Sequence, residues 1–155
     1  MNIFFLDKNL KKCAKYHMDK HVVKMILEYA QILCSVLWKY GQEAPYKQTH
    51  KNHPCVLWCG ESKENWESLQ KLCKRLNDEY IFRYDKTCNH KSYDVIKDLK
   101  APESMPSIGI TRPKLAMPDE YKRDNIVESY RLYYKNDKKE LAKWKKRTVP
   151  YWYQV

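Results

Sequence analysis

The segment from Asp19 to Tyr40 constrains the fold more than any other. At about 100° per residue, Val22, Ile26, Tyr29, Ala30, Leu33, Leu37 and Tyr40 share one helical face, and Val23, Leu27, Cys34 and Trp38 widen the apolar arc around much of the cylinder. A helix this apolar has to be surrounded by others, so it is the predicted centre of the core. Asp19 is its predicted N-cap, and Gly41 with the turn around Pro45 its stop.

Helical periods dominate elsewhere too, and no run of about four to eight residues alternates like a half-buried strand. Asp7 or Asn9 starts a short first helix to about Tyr16. A third helical region begins near Pro54, and Ser62 with Asn65 restarts it toward Tyr84. Residues 90–100 form another short helix, and Asp124 caps a final one running through about Lys146. Between these two, Ala101 to Pro118 holds four prolines and Gly109, which predicts a long ordered loop. The expectation is an all-α fold, one compact domain over residues 1–155, with about five helices around the long central one. Only three glycines and seven prolines occur, which excludes repeat arrays and low-complexity tails.

Met1 to Leu6 is apolar, but Asp7, Lys8, Lys11 and Lys12 interrupt it before it reaches the length of a secretory signal. No stretch reads as a run of about 20 apolar residues, so no membrane partner is expected. These features predict a soluble cytoplasmic protein, in the host cytoplasm if phage-encoded, whose six cysteines are reduced and mostly in the core. No cofactor is called for.

The net charge of +11 favours polyanions, and its placement says more. Residues 1–60 carry nine basic and four acidic side chains (+5), residues 61–120 eleven of each (0), and residues 121–155 ten basic and four acidic (+6). Packed side by side, the two ends would make one basic surface for nucleic acid, DNA or RNA.

Three groups of residues carry candidate chemistry. On the central helix His21, Lys24, Glu28, Gln31 and Ser35 recur at helical spacing as a narrow polar stripe, which either meets solvent or lines a cleft. Lys24 and Glu28 either pair structurally or set a phosphate-binding cation beside a proton-transfer carboxylate. Ahead of Pro54, Tyr46, His50, Asn52 and His53 either build a turn or supply neutral donors, acceptors and proton carriers, followed by Trp58. His50, His53, Cys55 and Cys59 are metal-capable, but their spacing matches no zinc pattern and no metal site is assigned. On the final helix Ile126, Tyr130, Tyr133, Tyr134, Leu141 and Trp144 face inward, while Arg131, Lys135, Lys138, Lys139 and Lys146 crowd the other side, with Arg147 and Trp152 just beyond. Such interleaving suits phosphate contacts with base stacking. There is no Gly-rich phosphate loop, His-Glu-x-x-His or nucleophile elbow.

The string Tyr16 to Glu28, the segment Tyr46 to Trp58 with His50-Lys51-Asn52-His53-Pro54, the later Met117 to Lys122, and the ending Trp144 to Arg147 with Pro150 and Trp152 together resemble a family of small phage and bacterial proteins. That family in turn resembles the pyrimidine-dimer DNA glycosylases of the endonuclease V type. The resemblance implies an all-helical fold that grips kinked duplex DNA with basic residues on a central helix. It also implies glycosidic bond cleavage by a terminal amine with help from a carboxylate on that helix. This sequence departs at both chemical points: Asn2 after Met1 is not the expected small nucleophilic residue, and the catalytic Glu position falls near His21, with Glu28 two turns on.

The sequence therefore predicts a nucleic-acid-binding protein built like a DNA glycosylase, which excises or processes a damaged or modified base, or else a non-catalytic DNA- or RNA-binding viral protein. In the enzymatic reading Glu28 is acid or base, His21, His50 and His53 carry protons, and Lys20, Lys24 and Arg147 hold phosphates. In the binding reading Trp58, Tyr134 and Trp152 stack on bases.

Overall fold

The computed structural model describes residues 2–137 and 139–154, with Leu141 described by its backbone. Lys138 and the side chain of Leu141, both assigned from the sequence, lie outside the described residues. Among the described residues there are six α-helices and no strand: α1 (Leu10–Tyr16), α2 (Asp19–Lys39), α3 (Pro54–Cys59), α4 (Lys63–Tyr84), α5 (Lys91–Ile96) and α6 (Ile126–Asp137).

The central helix is α2. Val22, Ile26, Tyr29, Leu33 and Leu37 are fully buried, and the helix packs against α3, α4 and α5. By length and composition it could cross a membrane, against the expectation that no segment comes close. Most of it is buried inside the protein instead.

Short polar side chains set where helices begin. Asn9 accepts the Lys12 N–H at 3.0 Å and Ser62 accepts the Asn65 N–H at 3.0 Å, as their positions predict. Two histidines do the same work: the Nδ1 atoms of His53 and His90 accept the N–H two residues on, at the starts of α3 and α5. An imidazole can accept there only when neutral, and partial burial pushes both below the ordinary histidine pKa. Asp19 is not the cap of α2. Met18 holds that position, and the Asp19 carboxylate is occupied by the Lys145 N–H and Arg83.

The final helix is shorter than predicted, ending at Asp137 instead of Lys146. Asn136 and Asp137 are weak helix formers. The chain then turns through a 3-10 segment, Lys139–Leu141, and takes positive φ at Lys146. This path delivers Trp144 to α1, where its indole N–H donates to the Tyr16 carbonyl at 2.9 Å. A continued helix would carry that ring away along its own axis.

Arg83, fully buried on α4, closes the other carbonyls at the end of α1. It donates to the Lys15 and His17 carbonyls at 2.8 Å each and to Asp19 and Glu79 at 3.0 Å each. Arg147 adds a second guanidinium to Glu79. Burial alone would raise the Glu79 carboxyl, but the Arg147 hydrogen bonds and the charges of both arginines outweigh it and hold the group below its ordinary value. The two ends of the chain do pack together, Arg131 on the Leu6 carbonyl and Asp7, while Arg147 is drawn partly inward by Glu79.

Candidate active site and nucleic-acid interface

Residues 2–6 run as an extended segment that touches nearly every element near the site. The Ile3 N–H reaches Cys55 Sγ at 3.4 Å, just past the His53 cap. The Phe4 N–H donates to the Tyr29 hydroxyl at 3.0 Å, and the Leu6 carbonyl accepts from Arg131 Nε at 2.8 Å. Asn2 donates to the Ala116 carbonyl at 2.7 Å, tying the segment to the long loop.

Two buried histidines of α1 and α2 meet this segment. His17 must donate Nδ1–H to the Cys13 carbonyl, at 2.7 Å, which leaves Nε2 to accept from the Tyr29 hydroxyl at 3.0 Å. Complete burial drops its pKa to about 4, so it is a neutral structural bridge. His21, 6% exposed, stacks on Phe4 at 4.7 Å between ring centroids. Its Nδ1 lies 2.7 Å from the Tyr134 hydroxyl. That hydroxyl accepts the Met18 N–H and, being buried, has its pKa raised well above the ordinary value, so its own proton is directed at His21.

The polar stripe of α2 starts at this histidine. Lys24 is 69% exposed and stands 3.7 Å from Glu28, which is 17% exposed. Glu28 precedes Tyr29, the partner of Phe4, and Gln31 is half-buried further along. Ser35 ends the stripe with its hydroxyl donating to the Thr49 carbonyl and accepting the Thr49 N–H, both at 3.0 Å. Thr49 in turn contacts His50 Nδ1 at 2.8 Å. The stripe therefore runs from the rings of α6 to the loop carrying His50, Asn52 and His53. Of the candidate catalytic residues, His21 and Glu28 lie along it, His50 sits at its far end, and His53 lies beside the Ile3 contact. Lys20 and Asn52 are exposed.

Several assigned binding residues have other occupations. Trp58 is 2% exposed, its indole bonded to the Thr111 carbonyl, and Tyr134 is fully buried, so neither ring can stack on a base. Arg131 is held by Leu6, Asp7 and Tyr151 and lies over the rings of Tyr16, Tyr151 and Trp152. Lys146 pairs with Asp85, and Arg147 is committed to Glu79. Lys139 is exposed, while Lys135 and Trp152 line a trough.

That trough was missed in the sequence. A cavity of about 460 Å³, walled by Phe5, Trp58, Leu69, Ile110 and Ile126, carries Lys8 and Arg112. It shares Asp7, Lys8, Asn125 and Val127 with a second of about 750 Å³ that holds Arg131, Lys135 and Tyr151. The residues come from four distant stretches, so no local pattern announces them. His17 and Arg83 did leave a signal. His17 follows Cys13 and Ala14 at helical spacing, and Arg83 continues the line of Leu69, Leu72 and Leu76 with Glu79 one turn before it. Among the described residues no group of three or more His, Cys, Asp or Glu side chains is placed to hold a metal.

The described residues form an all-helical protein with a carboxylate, Glu28, and the imidazoles of His21, His50 and His53 on and beside its central helix. Residues 1–92 match the model of the pyrimidine dimer DNA glycosylase family, and the chain belongs to that family. The matched residues include the whole stripe and the His50 to His53 loop. No curated protein and no solved structure matches the chain.

Proposed function

We propose that this protein binds damaged duplex DNA and cleaves the glycosidic bond of a damaged or modified base. The observation that carries the reading is that the family-matched part of the chain holds His21, stacked on Phe4, together with the Lys24–Glu28 pair on the same helix and His53 at the start of α3. Lys24, with its ammonium exposed, holds a phosphate, and Lys20 one turn earlier extends the grip. Glu28, set beside that cation, is the carboxylate that assists bond cleavage. His21 is kept in one tautomer by Tyr134, which leaves Nε2–H as its donor.

The deciding measurement is base release from duplex oligonucleotides carrying pyrimidine dimers or other base lesions, followed by chromatography and mass. Glu28→Gln keeps the shape and removes the charge, and should lower release by about 100-fold or more while duplex binding persists. Release undiminished in Glu28→Gln would remove Glu28 from the chemistry. Tight binding with no release from any lesion would favour a non-catalytic binder.

A further inference from the structure

The long loop carries two isoleucines at its tip, Ile108 at 68% and Ile110 at 66% exposure, flanking Gly109. On a slack loop they would have little consequence. Here the first turn of α4 fixes both sides of the tip. Ser107 Oγ and the Gly109 N–H each donate to the Glu64 carboxylate at 2.7 Å. Beyond the tip, Thr111 receives Asn65 and donates to it and to Glu61, at 2.6 to 2.9 Å, and its carbonyl takes the Trp58 indole. Before it, the Pro106 carbonyl accepts the Lys63 N–H at 2.8 Å. Gly109 has φ +86 with nothing within 4 Å of where a Cβ would stand, so the glycine is there for the backbone conformation and the tip projects into open space.

The surroundings of the tip select its partner. From Ser104 to Pro118 the only charged residues are Arg112 and Lys114, and Lys114 pairs with Glu61 at 3.4 Å. Arg112 donates to the Asp124 carbonyl, a contact that leaves its charge uncancelled. Ile110 and Arg112 also line the cavity that joins the trough of Lys8, Lys135 and Tyr151. A rigid apolar point with Arg112 behind it, at the edge of a trough bearing Lys8, Lys135 and the Tyr151 ring, suits a polyanion with a stacked apolar interior.

We infer that Ile108 and Ile110 form a wedge that enters a base step of duplex DNA and unstacks it. The loop is ordered before contact, so insertion carries little ordering cost, and Arg112 holds a flanking phosphate. This inference rests on the DNA-glycosylase reading, and its residues lie outside the matched segment 1–92.

The test uses the full chain and a duplex carrying 2-aminopurine beside an abasic-site analogue, whose fluorescence rises when stacking is lost. Wild type should raise the signal. The Ile108→Ala/Ile110→Ala double variant should abolish the rise and weaken binding to this duplex by about tenfold, with affinity for intact duplex and its salt dependence nearly unchanged. Ile108→Leu/Ile110→Leu, which keeps the apolar bulk, should restore the rise and guards against misfolding in the alanine variant. Equal unstacking by wild type and the alanine variant overturns the wedge while leaving DNA binding intact. Failure of wild type to bind any duplex overturns the underlying reading. Loss of self-association in the alanine variant, with unstacking preserved, would assign the tip to a protein contact and also overturn the wedge.

Discussion

Arg147 holds Glu79 by a two-point pair, Nε to Oε1 at 3.0 Å and Nη2 to Oε2 at 2.7 Å, on a carboxylate that also receives Arg83. The Arg147 guanidinium also covers the Phe82 ring at 4.2 Å. Removing it leaves a buried carboxylate with one partner fewer. Arg147→Ala should cost about 1 to 3 kcal/mol in urea unfolding, and Arg147→Lys should recover only part of this, because an ammonium cannot make the two-point contact. A neutral outcome for Arg147→Ala would mean that Arg83 alone satisfies Glu79.

The stripe should respond in the opposite sense. Lys24→Ala should leave the melting temperature close to wild type, since an exposed helical pair contributes at most about 1 kcal/mol, yet weaken duplex binding. Ile26→Ala, at a fully buried position, should cost about 2 to 5 kcal/mol. If Lys24→Ala melts early and binds normally, the stripe is structural.

His17 makes the fold sensitive to acid. Its folded pKa of about 4 lies below the ordinary histidine value of 6.5. Between those values the unfolded chain takes up a proton that the folded one refuses, so stability is highest above pH 6.5 and falls as the pH drops toward 4. At about 1.4 kcal/mol per pKa unit the loss is on the order of 3 kcal/mol. Glu79, with its pKa depressed, adds a loss at lower pH still. His17→Gln should unfold more easily at neutral pH and lose less on acidification, and parallel pH profiles for the two proteins would count against His17 as the source.

Affinity for duplex DNA should fall with salt by roughly 0.9 decades per decade of salt for each phosphate neutralised. Lys8→Ala and Lys135→Ala in the trough should each flatten the slope by about one phosphate's worth. Charge reversal at Lys139 should weaken all sequences alike. Lys146 is unsuited to this test, because its loss breaks a contact with Asp85 and the Phe82 carbonyl.

The central helix was legible because its apolar arc has one physical explanation, and the caps at Asn9 and Ser62 because a short side chain ahead of a helix has few other uses. The end of α6 was not legible. Trp144 keeps the helical period with Tyr130 and Tyr134, yet reaches the core from a chain that has already turned. The sequence does not disclose the partners of Lys146 and Arg147, because Asp85 and Glu79 lie more than 60 residues away. Trp58 was misplaced for a similar reason: its partner Thr111 is separated from it by 53 residues. The stripe on α2 could be named but not surrounded, since its walls come from α6, residues 2–4 and the His50 loop.

The fastening of the C-terminal segment also bears on how a chain of this kind can be recombined. Lys145 sits on the Asp19 carboxylate, Trp144 on the Tyr16 carbonyl and Arg147 on Glu79, so residues beyond the matched segment complete polar groups within it. A hybrid joining residues 1–92 to a different ending would inherit a buried carboxylate short of one guanidinium and an open carbonyl at the end of α1. Only endings that bring their own indole and guanidinium to these places would be interchangeable.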